Sequence, residues 1–249
     1  MHTRTLAIIS IFSIALAVGC SNDGAMFNGG QTGKGGSMTR FAINGNFMYI
    51  VDDENIHVYN ILPGSFEKVN TVFVWSGLET IFSRGEWLYI GANDAMYIFS
   101  IADPALPELT FRYSHVTSCD PVVVQGNRAY VTLRNGQVCN RGDNALEIID
   151  ISDPYHPSLV KNYPMQSPHG LGVDGNRLFI CEGEHGLKVF DITDELNIQL
   201  IAHLKDFFAY DVIPVNGLAT VTGNDGIFQL RYDVEGEPVM LSTIPVAVP

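Results

Sequence analysis

One glycine recurs behind a short apolar run throughout the chain. It appears as Asn44-Gly45, Arg84-Gly85, Gln125-Gly126, Asp174-Gly175 and Asn216-Gly217, at intervals of 40, 41, 49 and 42 residues. Self-similarity at that period restricts a chain to stacked copies of one supersecondary unit. After each glycine comes a run of β-branched and aromatic residues suited to a pleated surface: Phe47 to Val51, Trp87 to Ile90, Ala129 to Leu133, Arg177 to Cys181 and Leu218 to Thr222. A polar turn follows each run. A third run then alternates apolar and polar residues, as Ile56 to Ile61, Met96 to Ile101, Leu146 to Ile151, Leu187 to Ile192 and Ile227 to Tyr232. A more variable fourth run closes the unit, for example Val69 to Trp75, Ser158 to Tyr163 and Leu200 to Lys205. A four-stranded sheet of this size cannot bury both faces until neighbours stack on it, and radial stacking at this period is a β-propeller. The expected fold is therefore all-β, a five-bladed β-propeller of four-stranded antiparallel blades over residues 38–249.

The third run often ends in an aspartate turn: Ile101-Ala102-Asp103-Pro104, Ile151-Ser152-Asp153-Pro154 and Ile192-Thr193-Asp194. Aspartate opening a type I turn, with proline next, has a backbone reason to be there. These carboxylates are expected to hold turns rather than ligands.

The first 19 residues read as an address. Met1 to Arg4 is short and basic, Leu6 to Val18 is apolar, and Leu16-Ala17-Val18-Gly19 leads to Cys20. A run of thirteen residues is too short to span a bilayer, and the polar Ser21-Asn22-Asp23 that follows lacks stop-transfer character. The residues before Cys20 resemble a bacterial lipobox, with Ala17 where that pattern prefers leucine. The resemblance implies that Cys20 becomes the lipidated first residue of the mature protein, an acyl or palmitate anchor to a membrane. Residues 20–37 are then a glycine-rich tether, since glycine at that density holds neither helix nor strand. A lipid-anchored chain of the cell envelope, at the outer membrane or cell surface, is expected. Acidic residues outnumber basic ones by 27 to 14, for a net charge of −13, which sets nucleic acid aside as a partner.

Within the repeats, Leu178-Phe179-Ile180-Cys181 with Gly186-Leu187-Lys188-Val189-Phe190-Asp191-Ile192, and likewise Leu146-Glu147-Ile148-Ile149-Asp150-Ile151, resemble the LVIVD-repeat proteins. The first, second and fifth copies are looser, with Tyr59-Asn60 and Leu230-Arg231, for example, in place of the Phe-Asp or Ile-Asp pair. The resemblance implies a propeller on bacterial or archaeal cell-surface proteins and carries no common activity.

Cys119 sits at the start of the third copy and Cys139 in its long second hairpin, so propeller topology puts both on the top face of one sheet. In a secreted chain that pair is expected to form a disulfide. Cys181, inside an apolar run, is expected to be a buried small hydrophobe. Six residues before the aligned glycines stand Thr39, Glu79, Asp120, His169 and Asp211. Placed at the start of each innermost strand, they would ring the top of the axis as a ligand-binding set. Glu79, Asp120, His169 and Asp211 would suit a divalent cation such as calcium; alternatively, all five only face a water-filled channel. Glu182, Glu184 and His185, in the fourth copy's top hairpin, read as solvated turn residues or an outer wall of that ring.

No nucleophile elbow, zinc-protease helix or phosphate loop is present. The expected role is a binding or scaffolding module holding an envelope protein or extracellular ligand at its top face. The alternative is a metal-assisted hydrolase or lyase using the acidic and histidine ring.

Overall fold

The computed structural model describes residues 36–75, 77–114, 121–135, 143–232 and 236–246. The signal segment, most of the tether, Asp120, Cys119 and Cys139 lie outside them, so lipidation and the disulfide concern residues beyond the description. Among the described residues no helix is long and apolar enough to cross a membrane.

Twenty strands form five separate four-stranded antiparallel sheets. The first holds β1 (Phe41–Asn44), β2 (Phe47–Val51), β3 (Asn55–Asn60) and β4 (Glu67–Phe73). The second holds β5 (Leu78–Arg84), β6 (Trp87–Ala92), β7 (Ala95–Ser100) and β8 (Glu108–Ser114). The third holds β9 (Val122–Gln125), β10 (Arg128–Leu133), β11 (Ala145–Asp150) and β12 (Ser158–Pro164). The fourth holds β13 (Leu171–Asp174), β14 (Arg177–Cys181), β15 (Leu187–Asp191) and β16 (Gln199–Leu204). The fifth holds β17 (Asp211–Val215), β18 (Leu218–Gly223), β19 (Gly226–Arg231) and β20 (Val239–Pro245). The chain is a five-bladed β-propeller with its blades in sequence order.

Each blade starts from the same hairpin. Gly45, Gly85, Gly126 and Gly175 adopt φ between 56° and 58° as first residue of a two-residue loop, a conformation that costs glycine nothing sterically. The fifth blade differs, because Val215 pairs with Leu218 and the loop is Asn216-Gly217, with φ of 50° and 82°. Its glycine is the second loop residue rather than the first. The turn aspartates behave as their positions require: Asp103, Asp153 and Asp194 accept from the amides of Ala105, Tyr155 and Leu196 at 2.9–3.0 Å. Asp150 and Asp191 accept from Ser152 and Thr193 in the same way, and in the loose first copy Asn60 accepts from Leu62. One feature leaves no mark in sequence. In all five blades the third and fourth strands carry a bulge at the same place, from Val58/Tyr59 to Gln229/Leu230.

Apolar cores lie between consecutive blades, where Val, Ile, Leu and aromatic side chains each contribute roughly 1.5–3 kcal/mol on burial. Strands of the second to fourth blades, such as β7 and β10, are buried on both faces. The fifth blade buries alternate residues only, and β20 is exposed throughout. Among the described residues no apolar cluster joins the fifth blade to the first, and Phe41, Leu218 and Ile244 are exposed. Among the described residues the tie between the first and fifth blades is polar. Ser37, just before β1, donates its hydroxyl to Asp211 Oδ1 at 2.9 Å and accepts from the Leu171 amide at 2.7 Å.

Candidate functional site

The inner strands of the first four blades begin around one cavity of about 300 Å³, lined by Met38, Arg40, Glu79, Thr80, Pro121, Arg134 and His169. Two of the five residues counted back from the glycines are among them. Glu79 arrives there through a bulge: β5 pairs with β6 at Leu78 and Ala92 and resumes at Thr80 and Gly91, leaving Glu79 as the extra residue. Bulges re-aim side chains and recur beside functional sites. Burial pushes the Glu79 carboxyl above the usual carboxylate range, while Arg134 and Arg40 oppose the rise.

His169 is held from several sides. Its amide donates to Cys181 O at 2.7 Å, and its carbonyl accepts from the Thr132 hydroxyl at 2.7 Å. Nδ1 lies 2.8 Å from the Ser167 carbonyl. A carbonyl only accepts, so Nδ1 carries the proton in that bond and Nε2 keeps its lone pair for a ligand. Burial lowers the His169 pKa, and the Arg134 charge lowers it further against the Ser167 hydrogen bond. The imidazole is therefore held toward its neutral form. Its ring meets Tyr210 and Phe208 edge-on, with centroids 5.8 and 6.1 Å away.

The loop before His169 depends on Glu182, which is fully buried rather than a solvated turn residue as its polar neighbours led one to expect. Glu182 Oε1 pairs with Lys188 Nζ at 2.7 Å, and Oε2 accepts from the amides of Ser167 at 2.5 Å and Gln166 at 3.1 Å. Lys188, the charged residue inside the apolar run of β15, is the sequence signal of that pair.

Thr39 turns away into a local turn, donating its hydroxyl to Gly36 O at 2.9 Å. Asp211 lies one place beyond the ring position, because the fifth loop puts its glycine second. The amide of Tyr210 bonds Thr222 O at 2.7 Å as that of His169 bonds Cys181 O, so Tyr210 is the structural counterpart of His169. A one-residue offset turns a strand residue to the other face. The Asp211 carboxylate instead occupies space that glycine leaves open: a Cβ on Gly170 would stand 2.2 Å from its Oδ1. There it accepts from Ser37 and the Val212 amide, and burial raises its pKa against those bonds. Among the described residues no three of His, Cys, Asp and Glu come together to hold a metal ion. Asp120 is outside the description. Cys181 is buried and free, its thiol pushed well up by burial, as expected of a packing residue.

The counting rule missed the two arginines. Arg40 follows Thr39 by one residue, and its Nη2 donates to Leu78 O at 2.5 Å. Arg134 comes from the end of β10, and among the described residues it makes no hydrogen bond or ion pair. A separate cavity between inner strands is lined by residues including Arg84, Val124, Gln125, Leu171, Val212 and Pro214.

The LVIVD repeat matches residues 35–57 and 118–164. No curated protein matches the chain in sequence. Among solved structures it is similar to a protein from Lactobacillus plantarum, at 15% identity and TM-score 0.63, over 80% of this chain and 68% of that one. It is also similar to a functionally unknown protein from Desulfotomaculum acetoxidans, at 10% identity and TM-score 0.63, over 81% of this chain and 67% of that one. BamB from Moraxella catarrhalis is similar at 12% identity and TM-score 0.56, over 76% of this chain and 55% of BamB. At these identities the likeness is one of fold alone, and the chain spans between about half and two thirds of each neighbour's length.

Proposed function

We propose that this LVIVD-repeat β-propeller is a binding module of the cell envelope, anchored by a lipid on Cys20, with its ligand held in the cavity where the inner strands begin. The observation that carries the reading is the content of that cavity: Arg40, Glu79, Arg134 and His169 converge from four blades on one space of about 300 Å³, beside apolar Met38 and Pro121. A concave site with a few converging polar groups is the usual form of a small-molecule site. The basic start, apolar run and Cys20 support the anchor.

A hydrolase or lyase is the second reading. It is favoured by Glu79 and His169, whose surroundings push both toward the neutral forms that acid–base chemistry needs near pH 7.

The test is to incubate the full chain with envelope extract, wash it, and identify retained molecules by native mass spectrometry. A species retained by the wild type and lost in the Glu79→Ala, His169→Ala double variant is expected. An identical retained set in both proteins would remove the axial cavity from the account. Turnover of the retained species by the wild type would favour the enzyme instead. Cys20→Ser, in the same preparation, is expected to release the protein from membranes.

A further inference from the structure

We propose that the axial cavity is a site for a small organic carboxylate, anchored on the guanidinium of Arg134. This rests on the binding reading above and names the ligand class.

The first argument is charge. The cavity wall holds two guanidinium groups, one carboxylate and an imidazole. With His169 neutral and Glu79 ionised, the described residues of the wall sum to one positive charge, in a chain whose net charge is −13. A divalent cation entering there would face Arg40 and Arg134, whereas a monoanion meets one surplus positive charge of matching size. A phosphate dianion would exceed it and would lie against Glu79 as well.

The second argument is geometry. Arg40 already spends Nη2 on the Leu78 carbonyl. Arg134 is half-buried and has no hydrogen-bond or ion-pair partner among the described residues, so its planar fork is free to take both oxygens of a carboxylate. A half-buried guanidinium has lost part of its hydration, and an incoming carboxylate would replace what was lost. Nε2 of His169, left with its lone pair by the Nδ1 bond to Ser167, and the Glu79 carboxylate would accept from donors elsewhere on the ligand. A cavity of about 300 Å³ lies at the small end of ligand sites, roughly 300–1,000 Å³, which limits the ligand to a small acid.

The experiment follows thermal unfolding and calorimetric binding of the purified full chain with lactate, propionate, inorganic phosphate and calcium chloride, sodium chloride balancing ionic strength. Lactate or propionate is expected to bind saturably and raise the melting temperature. Arg134→Gln, which gives up no bond to the described residues, should weaken that binding at least tenfold while keeping the wild-type circular dichroism. Arg134→Lys should fall between, and exposed Lys161→Gln should match the wild type. Tighter binding of phosphate or calcium than of either carboxylate overturns the proposal. So does carboxylate binding that survives Arg134→Gln. If neither carboxylate binds while envelope extract still yields a molecule lost in the Glu79→Ala, His169→Ala variant, the ligand class is wrong and the binding site stands. If both experiments are blank, both fall.

Discussion

The Ser37 hydroxyl is the acceptor for the Leu171 amide and a donor to Asp211, two residues more than 130 positions away, and it is 1% exposed. Ser37→Ala would leave a buried N–H without its acceptor and a buried carboxylate with one donor fewer. A buried polar group stripped of its partner costs about 1–3 kcal/mol, which for a domain of this size is a fall of several degrees in Tm. A scanning calorimetry midpoint unchanged from wild type would show that the contact carries nothing. Nothing about Ser37 in sequence marks this role, since it follows a run of glycines that reads as tether. Glu182 was hidden for a similar reason. Its neighbours Gly183, Glu184 and His185 are turn residues, and only Lys188 at the right strand position signals that one carboxylate of the group is paired and buried. The cavity arginines were hidden because a count keyed to aligned glycines finds one residue per blade. Arg40 and Arg134 occupy other positions, one on an inner strand's approach and one at the end of a second strand.

At the level of strands and turns the alternation of apolar and polar residues was enough. The second and third strands of each blade fall within a residue or two of the runs that define them, because each is bounded by residues that only a turn accommodates. The fifth hairpin is the instructive exception. Asn-Gly and Gly-first loops both suit a two-residue hairpin, so aligning on the glycine alone shifted that blade by one place and put Asp211 where Tyr210 belongs. The elements also differ in how firmly they are held. β6, β7, β10 and β14 have neighbours on both faces, whereas β20 is exposed from Val239 to Pro245. Local opening follows buried contacts. Amide hydrogen exchange measured by mass spectrometry should therefore be slowest in those four strands and fastest in β20. Equal protection across all five blades would contradict this packing.

Across the whole molecule the blades were legible from their period, because no single sheet of this sequence is able to bury its own faces. The relation between the first and fifth blades was not. No repeat period states how two terminal faces meet, and here the described residues join them through Ser37 and Asp211 rather than an apolar core. What the circular arrangement does accomplish is to bring Glu79, Arg134 and His169, far apart in the chain, to one cavity. Their proximity has an electrical consequence. His169 takes up its proton below the ordinary histidine value, through burial first and the Arg134 charge in addition. The unfolded chain is protonated first as the pH falls through about 6.5, so below that point His169 weighs against the fold. The most direct measurement is the titration of the His169 imidazole by nuclear magnetic resonance in the wild type and in Arg134→Gln. The wild-type midpoint should lie below the ordinary histidine value and rise when Arg134 loses its charge. A midpoint at the ordinary value, unmoved by the substitution, would mean that the blades do not bring these residues together.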